Sequence, residues 1–212
     1  MEELLWQSFV TLFVVSNPFS VVPIFASLTQ NDSADVKKHV AQKSCLVALL
    51  LLLCFAVLGD KLLDVMHISE PAFRVTGGLL LLLAAIEMVL GKNTGVRAQS
   101  DSDAKQIEGR DDVSIYPLAI PLISGPGAIA STVVLMRQAE VIGYTAQGAF
   151  IGIIFVVVGI TYVVLRMGQH VMAFLGMTGV NILTRVFGII LSSLAIQNIL
   201  YGVKAVFKGL VS

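Results

Sequence analysis

Long apolar runs without a charged residue dominate this chain, and they limit what it can fold into more than any other feature. Leu4–Asn31, Val113–Met136, Val141–Leu165 and Val186–Val203 hold no Asp, Glu, Lys or Arg. Ser44–Gly59 is a shorter charge-free run that snorkelling by Lys43 and Lys61 can lengthen, and Val75–Gly91 contains one acid, Glu87. A bilayer-spanning helix needs roughly 20 mostly apolar residues. The pattern therefore predicts six spans, at 5–28, 44–66, 72–91, 114–136, 142–165 and 182–204. Met167–Thr184, charge-free but rich in polar residues and glycine, reads as a connection with a short interfacial or re-entrant piece.

Composition agrees. Of 212 residues, 56% are hydrophobic and 13% charged, too few charges to clothe a soluble domain of this size. Half of the 28 charges crowd into Thr29–Lys43 and Lys92–Asp112. An ordinary soluble enzyme, a disordered chain and a secreted disulfide scaffold are excluded. Net charge is zero, with no basic patch for nucleic acid. Cys45 and Cys54 fall on opposite faces of one helix and cannot pair. The first residues, Glu2 and Glu3, are the wrong charge for a signal peptide. Lys and Arg favour the loops after spans 1, 3 and 5 by nine to five, which predicts those loops in the cytoplasm and both termini outside.

The chain also repeats itself. Arg74-Val75-Thr76-Gly77 matches Arg185-Val186-Phe187-Gly188, and Gly91 matches Gly202. Ser16-Asn17-Pro18-Phe19-Ser20 matches Ser124-Gly125-Pro126-Gly127-Ala128, and Gln30 matches Gln138. Each half carries three spans, so the halves enter the membrane with opposite polarity, as in many secondary transporters. The expected organisation is 1–91 as the first repeat, 92–112 as a cytoplasmic polar linker and 113–212 as the second, inverted repeat.

Five of six prolines lie in spans 1 and 4. Each removes a backbone donor and strands a carbonyl one turn back, which predicts that helices 1 and 4 are broken. Broken backbone inside a bilayer is tolerated only within protein or along a wet cavity. Matched breaks in two halves are a pointer to a substrate site near the midplane. The substrate-binding candidates are Ser16, Asn17, Pro18, Ser20, Ser124, Gly125, Pro126 and Gly127, with Ser131 nearby. None is charged. Helix N-termini attract a carboxylate and freed carbonyls an ammonium or metal cation, so a small zwitterion fits.

Glu87 is a candidate for coupling to H⁺ or Na⁺, or a group that simply reaches the interface; its repeat counterpart is Asn198. Arg74 is expected to snorkel or to pair near Glu70 and Asp64, and Gly148-Ala149-Phe150-Ile151-Gly152 to pack closely against another helix. Gln197 and Asn198 are candidates to bond between helices or to line the pathway, with helix packing the favoured reading. His39, His67 and His170 lack metal-site spacing, and no hydrolase or P-loop signature is present, so neither cofactor nor enzymatic activity is expected.

At these residues the chain resembles the MarC/SnatA family of bacterial and archaeal inner-membrane proteins, in its YchE-like branch. The likeness rests on Val15-Ser16-Asn17-Pro18, on Pro71-Ala72-Phe73-Arg74-Val75-Thr76-Gly77-Gly78, on Pro117 through Ile129, and on Gly179-Val180-Asn181 with Arg185-Val186. Ser20 departs from the glycine common there. The resemblance implies six spans, an inner-membrane location and transport of small neutral amino acids such as glycine and alanine, with export plausible. The residues alone leave open an ion or metal-ion pathway through Glu87, or a non-transporting membrane scaffold; a homo-oligomer is compatible with either.

Overall fold

The computed structural model describes residues 1–91 and 114–211, with side chains to Phe207. The predicted polar linker, 92–112, lies outside the described residues. Every described element is helical or turn. They are α1 (Glu2–Ser16), α2 (Pro18–Leu28), α3 (Ala34–Val65), α4 (Glu70–Leu90), a proline-rich segment (Ser114–Ile123), α5 (Pro126–Ile142), α6 (Tyr144–Arg166) and α7 (Gly168–Val211). Five stretches are long and apolar enough to cross a membrane: α1 with α2, α3, α4, α6 and α7. The proline-rich segment and α5, bent by 56° at their junction, make a sixth if taken as one span.

Two helices run beyond the apolar spans that hydropathy marks. Ser33 caps α3, its Oγ accepting from the Val36 N–H at 3.4 Å, and Asp35 sits in the positive first turn. The charged stretch Ala34–Lys43 is thus about 15 Å of helix ahead of the apolar run that begins at residue 44. Residues 167–184, expected as a connection with a short interfacial or re-entrant piece, are almost wholly helical. Gly168–Val211 is helical apart from Gly176 (φ 60°, ψ 179°), a backbone conformation that glycine alone adopts freely. A short helical piece therefore precedes Gly176 and a long one follows it, starting well before the predicted residue 182.

Helix packing runs on small residues. α4 and α7 lie antiparallel. A Cβ on Gly78 would stand 2.9 Å from the Ala195 carbonyl oxygen, one on Gly188 would stand 3.0 Å from that of Ala85, and one on Gly202 2.8 Å from that of Pro71. Backbones touch at all three levels, which only glycine permits. α5 is the central helix, buried at Gly127, Ala128, Ala130–Met136 and Ala139. Its Val133 fits against Gly59 of α3, and its Ala130 against Gly77 of α4. In the other half, Val22 of α2 fits against Gly168 of α7. Large apolar side chains such as Leu50, Val57, Leu83, Phe155, Ile189 and Leu200 point outward, as lipid-facing residues must.

The Gly148/Gly152 pair of α6 departs from expectation: a Cβ at either position would meet nothing within 4 Å. This motif does not serve packing within the chain. Cys45 is buried and Cys54 exposed, both as free thiols, as their spacing requires.

Gly188→Ala should overpack the α4–α7 seam, costing about 1–3 kcal/mol and lowering the unfolding midpoint in detergent. Gly152→Ala meets open space, gains helix propensity, and should leave that midpoint unchanged or higher.

Candidate translocation site at two helix breaks

α1 stops because Asn17 takes the left-handed conformation (φ 38°, ψ 65°), which Asn tolerates better than most side chains. The Asn17 N–H still bonds back to Phe13 O at 3.0 Å, and Pro18, needing no N–H partner, starts α2. Phe13 and Phe19 flank the break and both pack against Phe187 of α7, edge-on and tilted respectively, with ring centroids 5.7 and 6.2 Å from it.

The second break is more irregular than a kinked helix. Tyr116 and Ile120 are extended, each preceding a proline across a cis bond. A residue before proline is pushed out of the helical region, and here that happens twice in five residues. The chain straightens into a regular helix only at Pro126, with Gly125 (φ −67°, ψ 169°) as its N-cap. A Cβ on Gly125 would lie 2.6 Å from the Pro121 carbonyl oxygen, so no larger residue fits this turn as it stands.

Both breaks thus end in a helix that begins with proline and has no side-chain cap on its first turn. They are also neighbours. Gly127 faces Val15 of α1 and Leu81 of α4; a Cβ there would stand 3.6 and 3.2 Å from them. Ser16, Asn17, Pro18, Ser124 and Gly127 are buried, Gly125 and Ser20 half-buried, and Pro126 is exposed.

The polar groups divide into two kinds. The Ser20 hydroxyl donates to Asn17 O at 3.0 Å, and that of Ser124 to Ala119 O at 2.8 Å, so both brace the backbone. Asn17 differs. It is fully buried, yet neither Oδ1 nor Nδ2 has a hydrogen-bond partner. Ser131, one turn past Gly127, also has a buried hydroxyl without a partner. An unsatisfied buried amide costs about 1–3 kcal/mol, which the fold carries at the junction of the two breaks.

Glu87 and Asn198 lie in the antiparallel α4–α7 seam, Glu87 level with Gly188 and Asn198 with Gly78, about 15 Å apart along the helices; Gly78 is three residues from the Leu81 that faces Gly127. Gln197 bonds to the Tyr201 hydroxyl at 3.1 Å within its own helix, and not across to another. Among the described residues no cluster of His, Cys, Asp and Glu is arranged to hold a metal ion.

One group escaped the sequence reading. Arg137, near the end of α5, pairs with Asp60 and, at 4.0 Å, Asp64 of α3, and with Glu70 of α4 at 3.5 Å. Arg74 approaches Glu70 at 3.9 Å and lies over the Tyr201 ring, 5.4 Å from its centroid. Asp64 was expected near Arg74; Arg137 takes it. Partners 67 to 77 residues apart in sequence leave no local pattern to read.

Comparison with known proteins covers almost the whole chain. Residues 2–207 match the family described as MarC family integral membrane protein. The UPF0056 membrane protein MJ1677 of Methanocaldococcus jannaschii is 36% identical over 93% of this chain and 94% of its own length. YhcE of Escherichia coli is 32% identical over 98% and 95%, and YvbG of Bacillus subtilis 33% over 96% of each. No solved structure matches. With a family match running from α1 into the last turns of α7, the chain belongs to the MarC family of integral membrane proteins.

Proposed function

We propose that this protein is a secondary transporter of small neutral amino acids such as glycine and alanine, working by alternating access in the inner membrane. The observation that carries the reading is the fully buried, unpartnered Asn17 carboxamide between two uncapped helix N-termini. The N-termini of α2 and α5 offer N–H groups and positive partial charge to a carboxylate. Asn17 Oδ1 accepts from an ammonium group, and its Nδ2 donates to a carboxylate. With no charged residue at the junction, the favoured ligand is net neutral. Val15 and Leu81 crowd Gly127, which restricts the ligand to a small side chain.

The inverted repeat supports a rocking mechanism. The Gly78–Ala195 and Gly188–Ala85 approaches across the α4–α7 seam exchange under a shift of 111 positions, to within a residue. Halves that exchange contacts so evenly can swap two similar arrangements around a fixed site. The Lys/Arg bias favours both termini outside, and H⁺ or Na⁺ is the coupling ion of choice, with Glu87 as its candidate relay.

The test is uptake of labelled glycine and alanine into proteoliposomes. Asn17→Gly keeps the left-handed turn and removes only the carboxamide; it should cut flux roughly 10–100-fold, as loss of hydrogen bonds to charged groups does. Full flux in that variant, or none in the wild type under any ion gradient, overturns the reading. Cation flux lost in Glu87→Gln, without amino-acid flux, would point instead to an ion pathway. Gly125→Ala is a different probe: its methyl would strike the Pro121 carbonyl, so loss of folded protein is expected along with flux.

A further inference from the structure

We infer that the seam between α1 and α5, from Asn17 outward to Arg137, is one half of the solute path, latched shut by the Arg137 ion pairs. This inference rests on the alternating-access reading above.

The first observation is where neutral unsatisfied polar groups fall. Besides Asn17, the Ser8 hydroxyl, the Ser131 hydroxyl and Gln138 Nε2 are buried without a hydrogen-bond partner, as is the Thr184 hydroxyl on α7. All but Thr184 lie on or at the end of α1 or on α5. These two helices run antiparallel. Val15 meets Gly127 at one end. Toward the other, Leu5, Trp6 and Phe9 share a groove with Ala149 and Ile153 of α6, which follows α5 directly. From the Val15–Gly127 level, Ser131 is about 6 Å along, Ser8 about 10 Å and Gln138 about 16 Å. They form a ladder of neutral donors and acceptors leading from the helix breaks to one face of the bundle. A closed seam gains nothing from such groups, whereas an open one uses them to hydrate a passing zwitterion.

The second observation is what stands at the mouth. Arg137, beside Gln138, ties the end of α5 to Asp60 and Asp64 of α3 and Glu70 of α4. The third is that the repeat-related positions do not carry this tie. At the offsets that relate span 1 to span 4 and span 3 to span 6, Arg137 corresponds to Thr29 and Glu70 to Asn181. Thr29 spends its hydroxyl on Phe25 O at 2.8 Å. The Arg137 face is held by three acid–arginine pairs, and neither Thr29 nor Asn181 has a charge with which to rebuild them. A nearly symmetric scaffold biased this way rests closed on the Arg137 face.

Thiol accessibility tests this without any substrate. In a Cys45→Ala, Cys54→Ala background, Ser131→Cys is probed with a membrane-impermeant maleimide from each side of oriented proteoliposomes. Adding Arg137→Gln should speed labelling from the Arg137 face at least tenfold. Thr184→Cys, on α7 and outside the seam, serves as control and should not speed up. Arg137→Glu combined with Asp60→Arg should restore slow labelling. If Arg137→Gln does not yield folded protein, Glu70→Gln removes one arm of the latch and should raise the rate more modestly. An unchanged Ser131→Cys rate in folded variants, or an equal rise at Thr184→Cys, overturns the inference. Faster labelling with no glycine or alanine flux would keep the path and discard the substrate.

Discussion

Lipid offers a peptide backbone nothing to bond to, and the two interrupted helices of this protein must answer to that fact. Asn17 and the Ser124-Gly125 turn each leave a helix end within a stretch apolar enough to cross a membrane. At these two breaks, Asn17 and Ser124 are buried in the bundle. The first is clasped by Phe13, Phe19 and Phe187, and the second is folded onto its own Pro121 carbonyl and shielded by α1 and α4. Much of the architecture serves this sheltering. α5 is central because its N-terminus must be wrapped. α4 and α7 approach to backbone contact because glycines at 78, 188 and 202 allow it, closing the bundle around the breaks.

The spans were legible in the chain because hydrophobicity is a local property. So were the breaks, since proline acts on its own helix. The limits of that reading are physical. Ser33-Ala34-Asp35 is a helix start with a cap, but it lies outside the apolar run, so hydropathy marks the span from residue 44 and not the start of its helix about three turns earlier. The polar residues between Met167 and Thr184 suggested a connection with a short interfacial or re-entrant piece; helix needs only satisfied backbone, and a single glycine at 176 absorbs the bend. The Gly148/Gly152 spacing is the same as in packed glycine motifs, but spacing does not say which face meets a neighbour.

The candidate site was easier to read from the sequence as a place in the chain than as a chemistry. Sequence position put Ser16, Asn17, Pro18 and Ser124–Gly127 together, and the geometry brings these segments side by side. Serines look like ligands in a sequence, yet Ser20 and Ser124 are spent on the backbone. Only coordinates separate a hydroxyl that braces a turn from an amide left without a partner. Glu87 was selected as the acid inside a span. Arg137, Asp60 and Glu70, which pair across three helices, lie near helix ends; Arg137 and Glu70 fell between predicted spans and Asp60 near the end of one.

That contrast bears on how such a fold could do directional work. Under the proposed inverted repeat, two inverted halves would make two inverted states of similar energy, and equal energies set no preference between them. Packing of the α4–α7 seam does not break the tie, because the Gly78–Ala195 and Gly188–Ala85 approaches exchange under the same shift. Charge can. Ion pairs at a bundle's end act over short range, engage only when the helices meet, and cost little to lose to water compared with a core contact. A modest bias is what a transporter requires: enough to define a resting state, and little enough that binding one small solute can reverse it.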